Sequence, residues 1–171
     1  MKTKQLLVML AILVISVSVF AQEIPAGQKN LMQFKGKWVA KNATMNLEGK
    51  DYSGDFIAES VAVNDNTGIR IHETFSNQEM GTMQAEDLIG FDPNLQQVHM
   101  YTIDNMGTTH DHVGYWIDDH HMFVEYQGVM EGKIYLEQLD FVFKDAGTMN
   151  FKLTAMLNGE VIQKAQMTFV K

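Results

Sequence analysis

After an apolar N-terminal stretch, the chain settles into short runs that are either continuously apolar or alternate apolar with polar residues. Turn-forming residues break them about every 8–12 positions, the spacing of a sandwich or barrel. The runs are Gly36–Thr44, Gly54–Val63, Gly68–Phe75, Thr82–Phe91, Gln96–Ile103, Thr108–Ile117, Met122–Gln127, Lys133–Phe143, Thr148–Leu157 and Glu160–Val170. Between them stand Asp65-Asn66-Thr67-Gly68, Asp92-Pro93-Asn94, Asn105-Met106-Gly107, Asp145-Ala146-Gly147 and Asn158-Gly159. Asn158-Gly159 is the strongest hairpin signal, because a type I′ turn needs positive φ at both central residues. Only a short helical turn is expected, over Asn30–Phe34 with Asn30 as its cap. Ten consecutive hairpin-linked strands predict an all-β, closed, antiparallel up-and-down barrel, since closure removes exposed edges.

Periodicity also predicts which side chains point inward. With position 104 opposite 108 and 117 opposite 122, one face holds Tyr101, Ile103, Val113, Tyr115, Ile117, Met122, Val124 and Tyr126. That face is apolar and is expected inside, with His99 and Asp111. The other holds His110, His112, Trp116, Phe123, Glu125 and Gln127 and is expected outside. A single bulge would reverse part of this assignment. At Asn158-Gly159 the simple register already conflicts, setting Phe151, Leu153 and Ala155 against Glu160, Ile162 and Lys164.

The first residues read differently. Met-Lys-Thr-Lys precedes an apolar run from Leu6 to Phe20, with Val19 and Ala21 at the −3 and −1 positions of a cleavage site. The run is shorter than the roughly 20 residues of a membrane span. The rival reading, an uncleaved anchor, is weakened by Ser16 and Ser18. No cysteine follows for a lipoprotein anchor. The chain therefore divides into a signal peptide (1–21), a linker (22–30) and one barrel domain (31–171), with a periplasmic or secreted product expected.

Without Lys2 and Lys4, 11 basic residues face 21 acidic ones. That excess of negative charge argues against nucleic acid and anionic membrane surfaces. The absence of cysteine excludes disulfides, a cysteine nucleophile and thiolate zinc. Methionine is abundant, at 13 residues in all; it fills cores, or lines surfaces that adapt to apolar ligands.

Two segments carry a resemblance. Leu31-Met32-Gln33-Phe34-Lys35-Gly36-Lys37-Trp38 places Gly-x-Trp at the start of the first strand, and this resembles the opening of lipocalin-type (calycin) barrels. There the tryptophan plugs the closed end. The Tyr that often follows is replaced by Val39. Ala85-Glu86-Asp87-Leu88-Ile89-Gly90-Phe91-Asp92, then Val98 to Gly107 ending in Ile-Asp-Asn-Met-Gly, resembles a bacterial lipocalin-like family catalogued as domain of unknown function 1579. The resemblance spans about residues 31–170. It implies a closed antiparallel barrel and no activity.

Among chemical motifs, His110 and His112 share a strand face. With a carboxylate such as Asp104 or Glu125 they form a potential metal pair. His120 and His121 lie roughly 25 Å off, at about 3.3 Å per residue, and the further ligands of a cupin-type pattern are missing. No metal site and no cofactor is assigned from the sequence. A haem barrel of the nitrobindin type would need one inward histidine, for which only His99 is a candidate. No serine has nucleophile-elbow context. Adjacent carboxylates such as Asp118-Asp119 point to opposite faces of a strand. The expected ligand-binding cluster is His99, Tyr101, Asp111, Tyr115 and Tyr126, polar groups in an apolar cavity. The leading expectation is an exported lipocalin-like barrel for a small apolar or amphipathic molecule. The alternatives are a barrel-class enzyme using His99 and Asp111, or a filled barrel with a structural or interaction role in the envelope.

Overall fold

A computed structural model describes residues 24–171. The expected signal peptide lies outside them. A short helix, α1 (Ala26–Leu31), continues into a 3-10 turn at Met32–Phe34. The helix begins earlier than expected, and Asn30 is within it rather than capping it. Pro25 sets its start, with φ at −53° and its carbonyl accepting from the N–H groups of Gln28 and Lys29 at 3.0 and 3.1 Å.

Ten strands follow: β1 (Gly36–Leu47), β2 (Lys50–Val63), β3 (Gly68–Asn77), β4 (Gly81–Asp92), β5 (Gln97–Asp104), β6 (Thr109–Asp118), β7 (His121–Met130), β8 (Lys133–Asp145), β9 (Thr148–Leu157) and β10 (Glu160–Val170). Each pairs antiparallel with its chain neighbours, and β1 closes on β10. The barrel is thus the up-and-down meander expected. Its first hairpin is longer than expected because Glu48-Gly49 forms a two-residue turn, with φ of +50° and +82°. Glu131-Gly132 and Asn158-Gly159 turn the same way, with φ of +52° and +75° and of +50° and +83°. Only the last shows plainly in sequence, because Asn favours the left-handed region and Glu does not.

The α1 end of the barrel is sealed. Leu31, Phe34 and Trp38 are fully buried. The Trp38 indole N–H donates to the Phe34 carbonyl at 2.6 Å, and the Phe34 ring stands edge-on to Phe143 at 4.8 Å. Gln33 donates to the Asp119 carbonyl at 2.7 Å, tying the plug to the β6–β7 turn. Gly27 is required where α1 crosses β4: a Cβ there would lie 2.4 Å from the Phe91 ring. The turns joining β1–β2, β3–β4, β5–β6, β7–β8 and β9–β10 rim the opposite, open end.

The inside–outside expectation fails on β5 and β6 and holds on β7. The β5–β6 pairing is as expected, with Ile103 opposite Thr109. The β6–β7 pairing is shifted: Trp116 faces Met122 and Asp118 faces His121, so Ile117 bulges without a partner. One extra residue reverses the parity between the two strands. Met122 and Val124 are therefore buried as expected, whereas Tyr101, Ile103, Tyr115 and Ile117 are exposed on the outer wall. His112 and Trp116 point inward instead. A similar bulge settles the β9–β10 conflict: Val161 faces Met156 but Gln163 faces Ala155, which sets Leu153 against Ala165 and Phe151 against Met167.

Candidate functional site

Between the aromatic plug and the open rim lies a cavity of about 250 Å³. Its apolar lining is supplied largely by methionine and phenylalanine: Met45, Phe75, Met83, Met100 and Met167 in the wall, Met106 and Met130 toward the rim, and Phe56, Phe141 and Phe151 as well. Unbranched thioether side chains conform to varied apolar shapes. Six of the methionines noted in the sequence thus gather at one site.

One side of the cavity is polar. Glu73 (β3), Asp87 (β4), Thr102 (β5), His110 and His112 (β6), and Tyr135 and Glu137 (β8) all line it. Each occupies an inward position of its strand, so alternation places them together across five strands. Asp87 and His112 are almost wholly buried. Asp87 Oδ1 accepts from the Thr102 hydroxyl at 2.6 Å, while Oδ2 has no hydrogen-bond partner among the described residues. Burial pushes the Asp87 carboxyl up from 3.8 to about 6, opposed by the Thr102 hydrogen bond and the neighbouring His112. Glu73 stands beside it. Burial and the Asp87 charge hold the Glu73 carboxyl well above its ordinary range. The two acids balance when Glu73 keeps its proton and shares it with Asp87.

Glu137 behaves in the opposite way. Burial alone would push it up, but the imidazoles of His110 and His112 and the Tyr135 hydroxyl hold its carboxyl well below the usual range. Its Oε1 is 2.9 Å from His112 Nε2 and 3.6 Å from His110 Nδ1, and its Oε2 accepts from the Tyr135 hydroxyl. Burial and the Glu137 charge push the Tyr135 hydroxyl far up, so it remains a donor. The His110 ring stacks on Tyr126, with centroids 4.1 Å apart and planes 13° from parallel.

Of the expected cluster, then, only Tyr126 packs with the inner polar groups. His99, Tyr101, Asp111 and Tyr115 lie on the outer wall, with the inverted parity of β5 and β6 as the cause. His99 and Asp111 do meet, at 3.5 Å, but both are about half exposed there. His99 is thus not placed to meet a ligand in the cavity, haem included. Of the carboxylates first considered for His110 and His112, Glu125 is exposed on the outer face, whereas Asp104 lines the same cavity but turns Oδ1 to the backbone N–H groups of Met106 and Thr108 at 2.9 and 2.8 Å. Their partner is Glu137, which the sequence leaves unmarked because β8 meets β6 only through the curvature of the barrel.

No family model matches the chain, nor does any curated protein. Among solved structures, the crystal structure of Rv2717c from M. tuberculosis is similar, with a TM-score of 0.63 at 12% identity, covering 86% of this chain and 98% of that one. At that identity the likeness is one of fold: the described residues form a closed ten-strand antiparallel β-barrel with one short helix before it.

Proposed function

We propose that this chain is an exported lipocalin-like binding barrel whose cavity takes a small amphipathic molecule. The observation that carries this reading is the cavity of about 250 Å³, apolar on most sides and polar on one. Cavities of about 150 Å³ admit benzene, so this one suits a molecule of roughly ten to fifteen non-hydrogen atoms. The apolar body rests in the methionine and phenylalanine shell. The head carries N–H or O–H donors, because the Asp87 carboxyl lines the cavity and its Oδ2 has no hydrogen-bond partner among the described residues. Export rests on the first 21 residues, with their basic start, apolar run and small residue at the cut. The acidic balance of the remainder suits a freely diffusing product.

Native mass spectrometry of the protein purified from its own host tests both parts. The expected result is a chain beginning at Gln22 that carries a small organic molecule, which solvent extraction releases. A neutral naphthylamine probe should bind the emptied barrel and be lost in Ala165→Phe, which fills the cavity from β10. An empty barrel that excludes the probe would overturn the binding reading. A chain retaining residues 1–21 would overturn export.

A further inference from the structure

We infer that His110, His112 and Glu137 form a binding site for one divalent first-row transition metal ion of the zinc class. This goes beyond the apolar cavity ligand and does not depend on it. One ligand atom from each of the three lies within 4.8 Å of the other two. Two imidazoles and one carboxylate are a donor set that selects such ions over calcium or magnesium. Three protein donors with a fourth position open to a cavity is the arrangement of exchangeable rather than purely structural zinc sites.

Hydrogen-bond balance gives an independent reason. His112 is almost wholly buried between two acceptors: its Nδ1 faces the Met100 carbonyl at 3.4 Å and its Nε2 faces Glu137 Oε1 at 2.9 Å. A neutral imidazole has one N–H and cannot satisfy both. With Nε2–H donating to Glu137, Nδ1 meets the Met100 carbonyl as a second acceptor; with Nε2 bound to a metal ion, Nδ1–H donates to that carbonyl. His110 Nδ1 is aimed at the same carboxylate oxygen from 3.6 Å. A metal ion uses all three groups.

The remaining side of each group is already fixed. The Met100 carbonyl faces His112 Nδ1, which assigns Nε2 as the ligating atom. The Tyr135 hydroxyl holds Glu137 Oε2. The stack on Tyr126 fixes the plane of His110. Such outer partners orient ligands and raise affinity, typically by about 10–100-fold. The fourth position faces the cavity, where water or a ligand's donor atom completes the coordination.

The test uses the untagged mature chain, stripped with EDTA and titrated at neutral pH with cobalt(II) and, separately, zinc(II). One ion per barrel is expected, with the visible absorption of low-coordinate cobalt and a micromolar or tighter dissociation constant. Glu137→Gln and His110→Asn should each weaken binding by roughly tenfold or more. The exposed His72→Gln should leave it unchanged. His110→Asn is the gentler change and keeps the test open if Glu137→Gln fails to fold, with near-ultraviolet circular dichroism as the check. No saturable binding, or binding unaltered by His110→Asn, overturns the inference. Filling the cavity through Ala165→Phe should abolish the naphthylamine probe while cobalt still binds, so the two proposals fail separately.

Discussion

The two ends of the barrel interior are built on different principles. Around Trp38, Phe34, Phe141 and Phe143 the space is filled by rings packed edge to face, and the void left there is about 10 Å³, about one water molecule. Toward the rim the same strands enclose about 250 Å³ and place two unlike carboxylate clusters on one side. A cysteine-free chain has no covalent staple, so the plug must supply the stability that the open half gives up. Dense packing and open volume are thus separated along the barrel axis.

Breaking the plug should therefore have the largest effect. Trp38→Ala removes a fully buried indole, its hydrogen bond to Phe34 and the ring under the Lys171 ammonium, 4.3 Å away. A loss of about 3–5 kcal/mol is expected from urea unfolding. Whatever fraction stays folded should still bind the naphthylamine probe. Probe binding lost without loss of folded protein would show that the two ends are coupled.

Within the open half the two acidic clusters should respond oppositely. Glu137→Gln leaves the buried His112 without its anionic partner and should cost about 3 kcal/mol at pH 7. Glu137 is held below its ordinary value of 4.5 in the folded state, so the stability it contributes is present above that pH and is lost as pH falls through and below it. The deficit of Glu137→Gln should shrink in acid. Asp87 is raised from 3.8 to about 6, so the folded state holds its proton more tightly than the unfolded chain does. Its favourable contribution is full below 3.8 and is lost as pH rises to about 6, which leaves a cost at neutrality. Asp87→Asn keeps an acceptor for Thr102 and should gain about 1–2 kcal/mol at pH 7.5, vanishing near pH 4. Thermal melts across that range check both signs. A gain over the wild type no larger at pH 7.5 than at pH 4 would remove the account of the Glu73–Asp87 pair.

What the sequence alone discloses follows the same division. Strands, turns and the Trp38 plug show in short local patterns: alternation, Asn158-Gly159 and Gly36-Lys37-Trp38. The inner polar wall does not. Glu73, Asp87 and Glu137 each sit among ordinary alternating residues, and only closure of the sheet brings β3, β4 and β8 toward the β6 histidines. Alternation misled on β5 and β6 because the apolar set there, Tyr101, Ile103, Tyr115 and Ile117, is the exposed one. Burying a polar wall inverts the usual hydrophobic sense of a strand, and a bulge at Ile117 hides the inversion from a parity argument.

That inversion makes the smallest but sharpest prediction. Tyr115 is about half exposed, and its nearest ring is Phe123 on the neighbouring strand, 6.1 Å away. Tyr115→Thr keeps a good strand former on the outer wall and removes only this partly solvated contact. Stability should change by no more than about 0.5 kcal/mol. Probe affinity and cobalt binding should not change at all. Were Tyr115 inside, as simple alternation has it, the same substitution would open a cavity and cost several times more, about 3–5 kcal/mol for a large buried ring. Parallel urea titrations of Tyr115→Thr and His112→Ala measure the two faces of one strand. The inner change should be several-fold more costly, although tyrosine is the larger and more apolar side chain. A reversed order would place the ligand cluster back on the His99–Asp111 face and take the inner polar wall out of the site.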